Sequence, residues 1–174
     1  MIPQPSQKLK LPQSPRAAIF RVIDRQLRND ANLRRYVRDG SFRSWTGDPA
    51  DNNAFTIAQM PSIRLTPTSN GEQFWANDSL LGTLLIEVEM HTAGLCWDDN
   101  DALWMAVQRA LYPNNPAATE DAVQNTLIRA LQAAGAHKGI SDFSAGPIDK
   151  APGEGDAFVG TGIIRIEYRV SVRS

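Results

Sequence analysis

Residues Gly82 to Leu111 read GTLLIEVEMHTAGLCWDDNDALWMAVQRAL, and two periodicities follow one another within them. Leu84, Ile86, Val88 and Met90 fall on one side of an extended chain, with Leu85, Glu87 and Glu89 on the other. Alternation with period two marks a strand with one face buried. After a turn over Thr92 to Trp97, the residues Ala102, Leu103, Ala106, Val107, Ala110 and Leu111 recur at helical spacing. Asp98 or Asp99 supplies the N-cap and Pro113 the stop. The small residues of this stripe allow close approach to a sheet.

A second strand closes the sequence over Thr161 to Val172, with Ile164, Ile166, Tyr168, Val170 and Val172 inward and Arg165, Glu167, Arg169 and Ser171 outward. Antiparallel pairing of the two long strands would set Glu87 and Glu89 opposite Arg165, Glu167 and Arg169, where cross-strand charge pairs contribute roughly 0.2–1 kcal/mol each. That face is either solvated or, in a ring, turned to a lumen. A short strand at Ser62–Thr66, flanked by Pro61 and Pro67, suits a sheet edge. Thr68 to Ser79 reads as a hairpin connection and Ser41 to Gln59 as a loop. The five glycines and two prolines of Gly146 to Gly162 predict a long flexible loop.

Ser14 followed by Pro15 is a helix start. Ile19, Val22, Ile23 and Leu27 then form an apolar stripe, with Arg21, Arg25 and Arg28 on the other side. Leu33, Tyr36 and Val37 extend a further short helical piece to Gly40. A third helix runs from Thr119, as N-cap, through Val123, Leu127, Ala130 and Leu131 to Gly135, with Glu120 and Asp121 at its positive end. The prolines of residues 1–14 favour an extended arm that orders against a neighbour. The fold class expected is therefore α+β: one domain over residues 15–174, a mostly antiparallel sheet flanked by helices, preceded by the arm.

A chain of 174 residues, 42% hydrophobic and 21% charged, fits one soluble core rather than disorder. Its apolar runs fall far short of the roughly 20 residues needed to cross a bilayer, so no membrane partner is expected. The N-terminal prolines and the lack of an apolar core there argue against a secretory signal. Cys96 is the only cysteine, which excludes an intrachain disulfide and suits a reducing cytoplasm. Net charge is −1, yet residues 1–43 hold ten basic and three acidic residues, +7, leaving −8 for the remainder. Opposite-signed regions favour subunit-to-subunit contacts, while arginines on a solvated helix face are the plainer reading.

Groups that could carry chemistry are sparse. Asp98, Asp99 and Asp101 could hold a divalent cation, but three acids at a helix start serve its amides and dipole equally well. His91, Cys96 and His137 lack the paired spacing of a zinc site, and Cys96 with a histidine base lies in no nucleophile motif. Gly153, Gly155 and Asp156 lack the flanking strand and helix of a phosphate loop. Glu87 and Glu89 could form an acid pair, but the charge ladder explains them more simply. The arginine helix could neutralise DNA phosphates, against a sequence pI near 6.1. No catalytic residue, metal or cofactor is expected. The adjacent aromatics Phe74 and Trp75 in a hairpin connection read as an interface, or else as packing on the core.

The helix Ala17–Leu27, the proline-flanked strand Ile63–Thr66, the strand-turn-helix Leu84–Pro113 and the terminal strand GIIRIEYRVSVRS together resemble a tail terminator, or tail completion protein, of long-tailed bacteriophages. The resemblance covers most of residues 15–113 and 160–174; the helix at 119–135 looks like an insertion. It implies an α+β subunit, six copies of which form a ring on the tail tube. The ring ends tube growth and offers a surface to neck proteins, and to the last sheath ring where the tail contracts. DNA would pass through the lumen without sequence-specific binding. The place implied is the head-proximal end of the virion tail, assembled in the host cytoplasm. Arg21, Arg25 and Arg28 are then candidates for contacts between subunits, and Phe74 and Trp75 for docking on tube or neck. Another connector component, a neck or stopper protein, is the nearest alternative, and an unassigned small enzyme a more distant one.

Overall fold

A computed structural model describes residues 14–45, 54–76, 78–94, 97–112, 120–151 and 156–171. The alternating segment Leu84–Met90 is the middle of a fifteen-residue strand, β3 (Ser79–Ala93). It lies between two others of the same length, β2 (Ser62–Ala76) and β5 (Ala157–Ser171), in a five-stranded sheet of order β1-β2-β3-β5-β4. The edges are β1 (Phe42–Ser44), parallel to β2, and β4 (Ala136–Lys150), antiparallel to β5. Helices α1 (Pro15–Asn29), α2 (Leu33–Tyr36), α3 (Asp98–Leu111) and α4 (Glu120–Ala133) complete an α+β fold of the expected class.

One continuous core joins the sheet to its helices. Ile63 and Leu65, then Leu84, Ile86 and Val88, then Ile164 and Ile166 form adjoining rows, all buried. Ile19, Ile23 and Leu27 of α1, Leu103, Val107 and Leu111 of α3, and Leu127 and Leu131 of α4 cover them. Each apolar side chain buried in this way contributes about 1.5–3 kcal/mol. Gln26 Nε2 donates to the Ala110 carbonyl at 3.0 Å and ties α1 to α3.

The register of β3 on β5 follows from those rows. Burial sets Ile86 opposite Ile164 and Leu84 opposite Ile166, so Arg165 faces Leu85, Glu167 faces Thr83 and Arg169 faces Leu81. Glu87 and Glu89 stand opposite Ile163 and Thr161, and the expected ladder of Glu87 and Glu89 against Arg165, Glu167 and Arg169 does not form. Register moves in steps of two, and the inward rows choose the step.

Several loops of the sequence reading are strands. Thr68–Ala76 continues β2 almost to the hairpin, and Ile63–Leu65 is not an edge because Phe42–Ser44 pairs with it. The expected flexible loop at 146–162 shrinks to the connection between Lys150 and Ala157, of which residues 152–155 lie outside the described residues. Gly146 belongs to β4, and Gly160 and Gly162 belong to β5. The arm expected at residues 1–14 falls, up to residue 13, outside the described residues.

Those glycines mark close approach rather than freedom. The Trp104 ring lies directly over Gly162, where a β-carbon would fall 2.4 Å from Cζ3. One turn earlier Asn100 crosses Gly160 and donates from Nδ2 to the Met90 carbonyl at 2.8 Å. This seating rotates α3 relative to the predicted stripe: Asn100 and Trp104 are buried, whereas Ala102 is exposed. Trp97 occupies the N-cap position, and Asp98 and Asp99 fall in the first turn.

Replacing Gly162 by Ala should destabilise the fold by about 1–3 kcal/mol, the usual range for overpacking a filled interior. Urea unfolding checks this, and a variant as stable as the wild type would show that Trp104 can lift away without loss.

Candidate subunit and partner interface

The apolar stripe of α1 turns Ile19, Ile23 and Leu27 to the sheet and leaves Arg21 and Arg25, one turn apart, exposed. Arg28 is differently placed. Its Nε lies 2.9 Å from Asp24 Oδ1, Nη1 donates to the Phe42 carbonyl at 3.2 Å, and Nη2 donates to Ser44 Oγ at 2.9 Å. The guanidinium also stands 4.5 Å from the centre of the Phe42 ring. Ser44 Oγ donates to Asp24 in turn. Arg28 therefore fastens α1 to β1, leaving Arg21 and Arg25 as the outward pair.

Beside Arg21 runs a groove of about 600 Å³, which Asp24 also lines. Phe20, Trp45 and Leu84 are among its apolar walls, with Arg16 and Arg21 on its rim. Trp45, which follows β1 directly, is 43% exposed there. A second, larger groove, of about 1040 Å³, separates α2 from α3 and includes Tyr36, Met105, Arg35 and Arg109.

Phe74 and Trp75 lie in β2 near its hairpin with β3, Phe74 opposite Leu80. The side chains of both fall outside what is described. Asp98, Asp99 and Asp101 are exposed at the start of α3, next to Trp97, which is 56% exposed. His91 sits near the C-terminal end of β3 and His137 at the start of β4, beside the opposite end of β5, so the two do not converge. Cys96 lies outside the described residues. Among the described residues, no three His, Cys, Asp or Glu side chains are grouped as a metal site would need.

The sequence gives little sign of a cluster on the sheet face away from the helices. Phe55, 1% exposed, folds over that face from the segment before β2. The guanidinium carbons of Arg43 and Arg64 stand 4.3 and 5.1 Å from its ring centre, and the His91 ring meets it edge-on at 5.0 Å. Arg64 Nη1 donates to Glu89 Oε1 at 2.8 Å, and His91 Nε2 lies 2.6 Å from the same oxygen. The hydrogen bond with His91 holds the Glu89 carboxyl below its ordinary value; burial opposes this, and the charges of His91 and Arg64 add to it. The readable signal was Glu89 and His91 two apart on one strand face. Phe55, in an apparent loop, had no periodicity to reveal it.

A phenol is buried at the other end of the sheet. Tyr168 lies across Gly82 and donates from its hydroxyl to Glu72 Oε1 at 2.8 Å, linking β5 to β2 over the middle strand. Burial first, then Glu72, push its pKa up to about 12.

No protein-family profile matches the sequence, and no curated protein sequence does. Among solved structures, the chain is similar to one described as "Virion of native gene transfer agent (GTA) particle". The two chains share a fold. The TM-score is 0.53 with 11% identical residues, over 91% of this chain and 100% of that one. The likeness extends over the whole of that chain, so it takes in the long strands and the helix layer together rather than a single motif.

The Glu89 cluster makes a pH prediction. A carboxyl whose folded value lies below its ordinary 4.5 stabilises the fold above that value and loses this contribution as pH falls through the folded value. The stability gap between wild type and Glu89→Gln, from urea titrations, should therefore narrow between about pH 6 and about pH 3. A gap independent of pH would show that the carboxylate charge adds nothing.

Proposed function

We propose that this protein is a structural virion protein that caps the tail tube as a ring, ends tail elongation and gives the head or neck its attachment surface. The observation that carries the reading is the likeness of fold, over 91% of this chain, to a chain of a gene transfer agent virion. The element order that resembles a tail terminator supports the finer role, because the strand-turn-helix and the terminal strand form the centre of the sheet.

In this reading six copies form the ring at the head-proximal end of the tail. They meet the tube protein on one side and neck or connector proteins on the other, with the sheath protein a further partner in a contractile tail. The arginines of α1 and the groove beside them belong to contacts between copies. Catalysis has no part in it. DNA crosses the lumen without being read.

Electron microscopy of particles made without the gene tests the proposal. Abnormally long, headless tubes beside filled heads are the expected result. Tubes of normal length that fail to join heads would assign the protein to the neck, and normal infectious particles would remove the virion role. A second measurement concerns the hairpin: Phe74→Ala with Trp75→Ala should leave the thermal transition in place and reduce attachment of heads to tails. Loss of the folded state would instead make the two aromatics part of the core.

A further inference from the structure

The groove beside Arg21 and the acidic start of α3 lie toward different ends of β3, with Asp99 also on the wall of the larger groove that holds Arg35 and Arg109. Leu84, in the wall of the 600 Å³ groove, and Ala93, shortly before the Trp97–Asp101 corner, are nine residues apart on β3. At about 3.3 Å per residue the strand separates them by roughly 30 Å. The groove offers Phe20 and a part-exposed Trp45 beside Arg21, with Arg25 one turn along α1. The corner offers Trp97, 56% exposed, among Asp98, Asp99 and Asp101. The two surfaces match in charge, and each pairs an aromatic with its charges.

We propose that the occupant of the groove is a second copy of this chain, which seats its Trp97–Asp101 corner against Trp45 and Phe20 with its aspartates on Arg21 and Arg25. This deepens the ring reading by naming the contact between copies, but it rests on charge and exposure and stands apart from the virion role. Complementary patches on one molecule pair either twice over in a two-fold dimer or head to tail from copy to copy, and the ring reading takes the second. They make a heterologous contact, which repeats from copy to copy and closes when the rotation permits. Arg28 and Asp24 are already bonded to each other and keep the helix face in place beneath the contact.

Two variants and their mixture test it. Arg21→Glu with Arg25→Glu disables the groove, and Asp98→Asn with Asp99→Asn and Asp101→Asn disables the corner while keeping side chains of the same shape. Analytical ultracentrifugation at low salt should find wild-type protein in species larger than a dimer, dispersing as salt is raised. Each variant alone should be monomeric with a native circular dichroism spectrum. An equimolar mixture should form a one-to-one dimer and nothing larger, since it retains one intact groove and one intact corner. Wild-type protein that stays monomeric at the highest concentration it tolerates, variants that assemble like wild type, or a mixture that stays monomeric would each overturn the proposal. Normal particles after gene removal would sink the virion role and leave this contact standing; a failed mixture would do the reverse.

Discussion

The first turns of helix α3 come down on the sheet where β5 presents no side chain, and that close approach sets how the helix layer is seated. Trp104 and Asn100 are bulky and polar, respectively, and both are buried. They fit because β5 has Gly162 and Gly160 beneath them, and Asn100 donates from Nδ2 to the Met90 carbonyl of the neighbouring strand. The approach fixes the rotation of α3, and α3 in turn fixes α1 through Gln26 and the Ala110 carbonyl. The same device recurs at the far end, where Tyr168 passes over Gly82 to reach Glu72. Two glycine sites thus pin a helix, and a third lets one side chain brace three strands.

The opposite sheet face is closed by a different force. Phe55 stands apart from the main apolar core; it is held between Arg43 and Arg64, whose guanidiniums face its π cloud, and against the edge of His91. Glu89 then answers the positive charge that this arrangement gathers. The cluster covers the end of the face where β1 joins the sheet. Farther along, Leu85 and Ile163 remain part-exposed between charged neighbours. The face is therefore locked at one end and accessible at the other.

Much of this could be read from the sequence where burial imposes a period. Leu84–Met90, Ile164–Tyr168 and the stripe Ile19–Ile23–Leu27 each announced their element, because one face of each is fully buried. β4 was missed for the converse reason. It is an edge strand, largely exposed, and its pairing with β5 shifts register between Ala136 and Ile140, between Ile140 and Asp142 and between Ala145 and Ile148. Such bulges protect an edge and erase alternation at the same time. The glycines of β5 misled because a missing side chain looks alike whether it frees a loop or admits a tryptophan. Of the candidate site, Arg21 and Arg25 were legible as an outward face. The binding of Arg28 to β1 was not, since it depends on Phe42 and Ser44, fourteen and sixteen residues away.

The length of the central strands gives the molecule its polarity. Fifteen residues in each of β2, β3 and β5 separate the two ends by far more than the reach of a side chain, and the helices load those ends unequally. α1 carries Arg21 and Arg25 on the outward face of its middle turns, while α3, running back along the sheet, begins with acids at the end of β3. That distribution follows from topology as much as from composition. A helix returning over its own strand must start where the strand finishes, and acidic residues are favoured at helix starts. Local helix chemistry therefore makes the far end of β3 acidic before any partner is considered. The basic end needs a separate cause, because α1 has no acidic residue in its first turn to offset the arginines that follow. Arg21 and Arg25 lie beyond the first turn of α1, where the helix dipole favours neither sign, so neither the core nor the dipole calls for basic residues at these outward positions.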